Sequence, residues 1–200
     1  MRIVSGRYGG HHLASVPRRG VRPTADPVRE ALFNILGARV IDRPFLDVAA
    51  GTGAVGLEAL SRGARPVFLV ERDRAALSTI ARNLELLHIP PSGNDELRVV
   101  KAEAGAWLSG AARRDVPPGL GVAFFDPPYG ERRLPEWIDA LSASELLDED
   151  SLVVVEHRTG EDPRFPGLVI RWTRRYGDTS LTAASLPEDV QENTGAVGPA

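Results

Sequence analysis

The sequence contains no cysteine. That removes disulfides, thiolate nucleophiles and cysteine zinc sites together, and it is compatible with a reducing compartment. No apolar run approaches the roughly 18 residues of a membrane-spanning helix, and the opening MRIVSGRYGG lacks the apolar core of a signal peptide, so a cytoplasmic location is expected. Lysine is almost absent too. Lys101 stands alone, so the chain offers no tyrosine–lysine pair at helical spacing for nicotinamide-dependent chemistry. His11 and His12 are adjacent while His88 and His157 are isolated; none repeats at ligand spacing, so no metal is expected and the histidines read as solvated or structural. A net charge of −3 and a pI near 5.8 argue against coating nucleic acid by bulk charge.

What is present is one domain's worth of core: 200 residues, 42% hydrophobic and 26% charged. The charge is unevenly placed. Arg2, Arg7, Arg18, Arg19 and Arg22 all precede the first acid, Asp26, whereas the final stretch carries Glu188, Asp189 and Glu192 without a base. The organisation read from this is a basic arm over 1–25, a catalytic domain over 26–186 and an acidic, disordered tail over 187–200. The arm is either a solvated extension or a phosphate contact.

Asp26 can cap a helix whose first position is Pro27, where a missing N–H costs nothing, and Val28, Ala31, Leu32, Ile35 and Leu36 form its apolar face. Next come the apolar PFLDV, the glycine-rich AAGTGAVG and the helical LEALSRG. The unit then repeats. VFLVE, LRVVK and VAFFD read as strands, RAALSTIARNLELL as an amphipathic helix, LPEWIDALSA as a short helix, and SLVVVEH as another buried strand. LVIRWTRRYGDTSLTAA reads as a closing hairpin turning at Tyr176, Gly177 and Asp178, while 90–96 and 109–121 have loop composition. Strands alternating with helices predict an α/β fold with a parallel sheet covered on both faces. Trp107, Trp137 and Trp172 sit within apolar patterns and read as packing residues.

Gly51, Gly53 and Gly56 spell G-x-G-x-x-G between a strand and a helix, where bare backbone can approach a ligand, and Glu71 ends the next strand, placed to accept the hydroxyls of a ribose. These features alone do not separate a dinucleotide from S-adenosylmethionine. Asp126-Pro127-Pro128-Tyr129 does. It lies at the carboxyl end of a strand, where open α/β sheets hold ligands. Its prolines have no N–H to donate, so the loop offers a rigid row of acceptors, the Asp126 carboxylate and the Pro127 carbonyl. Such a row holds an exocyclic amine with its lone pair aimed at an electrophilic methyl group. Tyr129 supplies a face on which a base can stack.

The chain resembles the bacterial small-subunit (16S) ribosomal RNA guanine-N2 methyltransferases, which belong to the class I S-adenosylmethionine methyltransferases. The likeness runs from Met1 to about Ala184 and is carried by RIVSGRYGG, RPTADPVREALFNIL, FLDVAAGTGAVGLEALSRGA, VFLVERD, DPPY, VVVEH and YGDTSL. It implies a Rossmann-like, seven-stranded, mostly parallel sheet with a terminal antiparallel hairpin, plus a small N-terminal β-hairpin that touches RNA through Arg2, Arg7, Arg18, Arg19 and Arg22. It implies ribosomal RNA as partner, free or within a 30S particle. It also implies that Asp47, Gly51, Gly53, Gly56, Glu71, Arg72, Glu103 and Ala104 line the cofactor, with Glu103 near the adenine amine, and that Asp126, Pro127, Pro128 and Tyr129 hold the guanine. Arg22, Pro23 and Thr24 would lie near the cofactor's methionine end. Here Gly10, His11 and His12 replace the basic residues usual in the hairpin, and Glu103 stands where aspartate is usual.

Other readings are an amino methyltransferase acting on DNA adenine or protein glutamine, an NAD-dependent oxidoreductase, and a non-catalytic RNA-binding assembly factor. The aspartate of DPPY favours a base over a glutamine, and the small size disfavours sequence-specific work on DNA. Arg132 and Arg133 could meet phosphates or pair with Glu131.

Overall fold

A computed structural model describes residues 1–15 and 26–188. Arg18, Arg19, Arg22, Pro23, Thr24 and nearly all of the expected tail lie outside the described residues. The helix α1 (Asp26–Leu36) buries Val28, Leu32, Phe33 and Leu36, one stripe at helical spacing, and a 3-10 turn (Gly37–Val40) leads to β1 (Phe45–Val48), buried at every position. There follow α2 (Ala54–Ser61), β2 (Val67–Glu71), α3 (Arg74–Leu86), β3 (Gly93–Asn94), β4 (Leu97–Lys101), α4 (Ala104–Leu108), α5 (Ala112–Asp115), β5 (Val122–Phe125), α6 (Leu134–Ser142), β6 (Leu152–Arg158), β7 (Val169–Tyr176) and β8 (Thr179–Ser185).

The strands form one sheet in the order β3-β4-β2-β1-β5-β6-β8-β7. β4, β2, β1, β5 and β6 run parallel, and the β7–β8 hairpin closes the sheet antiparallel to β6. The fully buried apolar runs of β1, β2 and β5 are what such a doubly covered sheet requires. Two apolar clusters, one on each face, cover it: Phe45, Phe124 and Val154 belong to the first, and Leu46, Phe125 and Val155 to the second. Trp107 and Trp137 are buried in the second, and Trp172 packs on the first. No helix among the described residues is long and apolar enough to cross a membrane.

Three expectations change. The sheet has eight strands among the described residues rather than seven. The extra one is β3, inside the segment expected to be loop, where Gly93 turns at φ +85° and Asn94 Oδ1 accepts from the amides of Glu96 (2.9 Å) and Leu97 (3.0 Å), folding the chain back onto β4. The loop at 109–121 contains α5, tied to α4 by a bond from Trp107 Nε1 to Asp115 Oδ2 (3.1 Å). The described part of the N-terminal hairpin is a single bridge, Arg2 to His12, rather than a ladder of strands.

That hairpin is nevertheless firmly seated. Ile3, Tyr8 and Leu13 are buried in the first cluster. Beneath them Glu58 of α2 accepts from the amides of Val4 (2.7 Å) and Ser5 (3.1 Å), and the Arg7 amide donates to the Ser61 carbonyl (2.7 Å). Arg29 of α1 faces Glu58 at 3.5 Å with both side chains fully buried, and it also donates to the Arg2 carbonyl. A Cβ on Gly6 would fall 1.9 Å from the Ser61 carbonyl oxygen, so hairpin and helix touch backbone to backbone. The REALFNIL and LEALSRG stretches thus hold the arm against the domain.

Candidate active site

The strand order reverses at β1 and β5: from β1 the chain proceeds outward to β2, and later returns on the other side of β1 to make β5. The crevice above their carboxyl ends is where a parallel sheet takes its ligand. After β1 the chain turns through left-handed conformations at Ala49 (φ +60°), Gly51 (φ +57°) and Gly53 (φ +76°) and enters α2. Gly51 stands open, with only the Ala49 carbonyl oxygen as near as 4.0 Å to a would-be Cβ, so its bare backbone faces space a ligand can use. Gly56 has another task. A Cβ there would lie 2.2 Å from Leu69, so this glycine lets α2 approach β2. Ala49 holds a left-handed φ without being glycine, local strain of roughly 1 kcal/mol maintained beside the site.

Glu71 ends β2 and lies almost buried against the turn. Its Oε2 accepts from the Gly51 amide (2.8 Å), and its Oε1 accepts from the amides of Arg72 (2.7 Å) and Asp73 (2.8 Å). A carboxylate offers about four acceptor positions. Three are filled here, so a ribose diol would take the fourth and share another. Arg72 contributes its amide, its side chain being exposed, and Asp73 caps α3 through the amides of Ala75 and Ala76. Asp47 is 1% exposed and reaches the turn from below, Oδ2 accepting from the Gly56 amide at 2.8 Å. Burial pushes its carboxyl up to about 8, with the Gly56 amide opposing and the Glu71 charge adding. Asp47 therefore shapes the glycine turn from behind.

Glu103 follows β4 and caps α4, Oε2 accepting from the Ala106 amide (2.8 Å) and Oε1 from Arg133 Nη1 (2.9 Å); Ala104 is buried in the first turn of the helix. Arg133 also forks onto Glu131 with two 3.0 Å bonds. The Glu131 carboxyl is held below its ordinary range, chiefly by the hydrogen bond from Arg133. Arg133 is thus an intramolecular clamp between α4 and the loop after β5, whereas Arg132 is exposed.

Asp126 follows β5 directly, its amide donating to the Val48 carbonyl of β1 (3.3 Å), so the acceptor loop and the glycine turn leave adjacent strand ends. Pro127 is buried and Pro128 exposed; Tyr129 is 51% exposed, and Arg158 at the end of β6 lies over its ring, 5.5 Å from the centroid. Pro127, Pro128 and Tyr129 line a cavity of about 230 Å³ together with Glu156, His157 and Arg164. Among the described residues no cluster of acids and histidines could hold a metal ion. Arg2 and Arg7 are exposed on the hairpin, Arg7 pairing with Glu96 at 3.0 Å.

Known proteins match the chain along most of its length. A family model described as Conserved hypothetical protein 95 matches residues 1–185. The chain belongs to this family. The Bacillus subtilis protein YlbH is 36% identical over 183 residues, 90% of this chain and 96% of that one. The Escherichia coli ribosomal RNA small subunit methyltransferase D is 39% identical over 156 residues, 78% of this chain and 74% of that one. The solved structure of Escherichia coli yhhF superimposes with a TM-score of 0.76 at 31% identity, covering 93% of this chain and 97% of that one. These relatives bear out the family resemblance and the class I methyltransferase fold read from the sequence.

Some residues around the candidate site escape a reading by motif. Asn83 on α3 is fully buried, donates to the Thr52 carbonyl in the glycine turn (2.9 Å) and accepts from the Ala14 amide (2.7 Å), joining the arm to that turn. Its signal was a polar residue in phase with Ala76, Thr79 and Ile80 on the helix's buried stripe. Glu156 was visible only as the end of a strand, and nothing in VVVEHR announces that it borders the same cavity as Pro127, Pro128 and Tyr129.

Proposed function

We propose that the chain is an S-adenosylmethionine-dependent methyltransferase that methylates the exocyclic N2 amine of a guanine in small-subunit ribosomal RNA, acting in the cytoplasm. The observation that carries this reading is the placement of Asp126 and the prolines at the end of β5, beside the glycine turn at the end of β1. The residues fit the cofactor: an open glycine backbone at Gly51 with the Glu71 carboxylate at its rim suits an adenosine ribose. When bound, S-adenosylmethionine supplies a methyl group on a cationic sulfur. Asp126 and the Pro127 carbonyl accept the two N–H groups of the base amine and turn its lone pair toward that methyl. The proton that the amine must lose on gaining a methyl group would be the one Asp126 holds. Tyr129, backed by Arg158, offers the base a stacking face.

Ribosomal RNA as substrate is supported by the relatives' names, and the exposed Arg2 and Arg7 on the seated hairpin are assigned to its phosphates, together with Arg18, Arg19 and Arg22. The deciding experiment incubates the protein and labelled cofactor with naked 16S RNA and with small subunits, both from a strain lacking the gene. N2-methylguanosine is the expected product, and comparing the two substrates shows whether RNA alone or the 30S particle is used. Label in adenosine, DNA or protein would overturn the assignment.

A further inference from the structure

The residues at the end of β6 complete the base pocket in a way that the cofactor turn and DPPY do not. β5 and β6 are parallel neighbours whose register ends at Phe125 opposite Val155, and Asp126 and Glu156 are the next residues along the two segments. The alternation of the strands gives the face. Phe124 of β5 and Val154 of β6 belong to one apolar cluster, while Phe125 and Val155 belong to the other, so Glu156, two residues after Val154 within β6, takes the face of Phe124 and Val154. Glu156 is 5% exposed and borders the cavity that Pro127, Pro128 and Tyr129 line. Its neighbour His157 borders the same cavity, and its Nε2 meets Thr182 Oγ1 at 2.9 Å, a contact that pins the strand end to β8. Two carboxyl-bearing residues therefore follow the last β5–β6 pair, Glu156 bordering the cavity and Asp126 leading into the prolines that line it.

We propose that Glu156 is the specificity-determining residue of this pocket: it accepts the N1–H of the target guanine beside the N2 amine held by Asp126. The inference rests on the guanine reading above. Guanine's edge presents two adjacent donors, N1–H and the N2 amine, and two adjacent carboxylates are their complement. In adenine the ring nitrogen beside the amine is an acceptor. Glu156 would then face a lone pair, leaving two desolvated acceptors opposed, and a site built to accept a hydrogen bond rejects a substrate that cannot donate it far more strongly than shape alone does. DPPY holds an amine; Glu156 selects whose amine it is.

The test changes one atom pattern of the substrate. 2-Aminopurine keeps the 2-amino group and carries an acceptor at N1, and it also lacks the C6 oxygen, so RNA with 2-aminopurine ribonucleoside at the target position is compared with the guanosine RNA by kcat/KM in wild type and variant alike. Wild type is expected to prefer guanosine by on the order of a hundredfold. Glu156→Gln, whose amide can donate to the N1 of 2-aminopurine, is expected to bring that preference below about tenfold, with cofactor binding by calorimetry unchanged. An unchanged preference in Glu156→Gln overturns the inference. So does a wild type that uses both RNAs equally, a measurement that decides the matter even if the variant does not fold. Failure of wild type to methylate the guanosine RNA overturns the function proposed above, and this inference with it.

Discussion

The Gly51 amide donates to Glu71 Oε2 at 2.8 Å, joining the cofactor turn to the end of β2 across a sequence separation of 20. Because the same carboxylate also takes the amides of Arg72 and Asp73, it fixes three backbone segments at once around the place assigned to the ribose. Removing it in Glu71→Ala should weaken S-adenosylmethionine binding by ten- to a hundredfold, about 1–3 kcal/mol for lost charged hydrogen bonds. Titration calorimetry reads this directly, and equal affinity in the variant would take Glu71 out of the cofactor site.

Asp126→Ala separates binding from chemistry. The glycine turn and Glu71 remain, so cofactor affinity should persist, while single-turnover methyl transfer to small subunits should fall on the order of a hundredfold or more, the usual cost of one preorganised hydrogen-bonding group. Transfer at the wild-type rate would remove the acceptor role. Loss of cofactor binding instead would make the residue structural.

The Asp47 carboxyl, pushed by burial up to about 8, links stability to pH. The folded state favours its protonated form, so the stability it contributes is complete below its ordinary range near 4 and is lost as pH rises through about 8, with a slope of up to about 1.4 kcal/mol per pH unit. Asp47→Asn keeps an oxygen for the Gly56 amide and cannot ionise. Its stability relative to wild type should therefore increase steadily from pH 5 to pH 8 in urea titrations, and a difference that does not vary with pH would contradict the assignment.

Glu58 is the hub beneath the hairpin, fully buried and bonded to the Val4 and Ser5 amides and to Arg62. Glu58→Ala leaves Arg29 buried beside the space its partner filled and should cost about 3–5 kcal/mol. The same variant should raise hydrogen exchange at the Val4 and Ser5 amides well before global unfolding. Protection unchanged at those amides would show that the arm is held by its apolar residues alone.

RNA contact by the hairpin predicts a salt signature. Arg2→Gln should reduce the slope of log K against log salt by about 1, one phosphate contact. Arg7→Gln should reduce it less, since Arg7 already pairs with Glu96. An unaltered slope in the double variant would confine RNA binding to other surfaces.

Much of this protein was determined by local sequence. Short apolar runs alternating with amphipathic helices dictate a parallel sheet, because strands buried on both faces and helices with one apolar stripe have few other ways to be covered. The glycines, Glu71 and DPPY are likewise legible, because each sits at a strand end, where chemistry and chain direction coincide. Only the tertiary structure decided how residues far apart in sequence combine. The REALFNIL motif became half of an ion pair under the hairpin once Arg29 met Glu58. Arg133 became an internal clamp once folding set Glu103 beside Glu131. Glu156 came to border the same cavity as Pro127, Pro128 and Tyr129 through a strand pairing that no spacing along the chain encodes. Periodicity reports which face of an element is buried; which buried faces meet is settled by the packing of the whole sheet, and there the polar partners of a site are chosen.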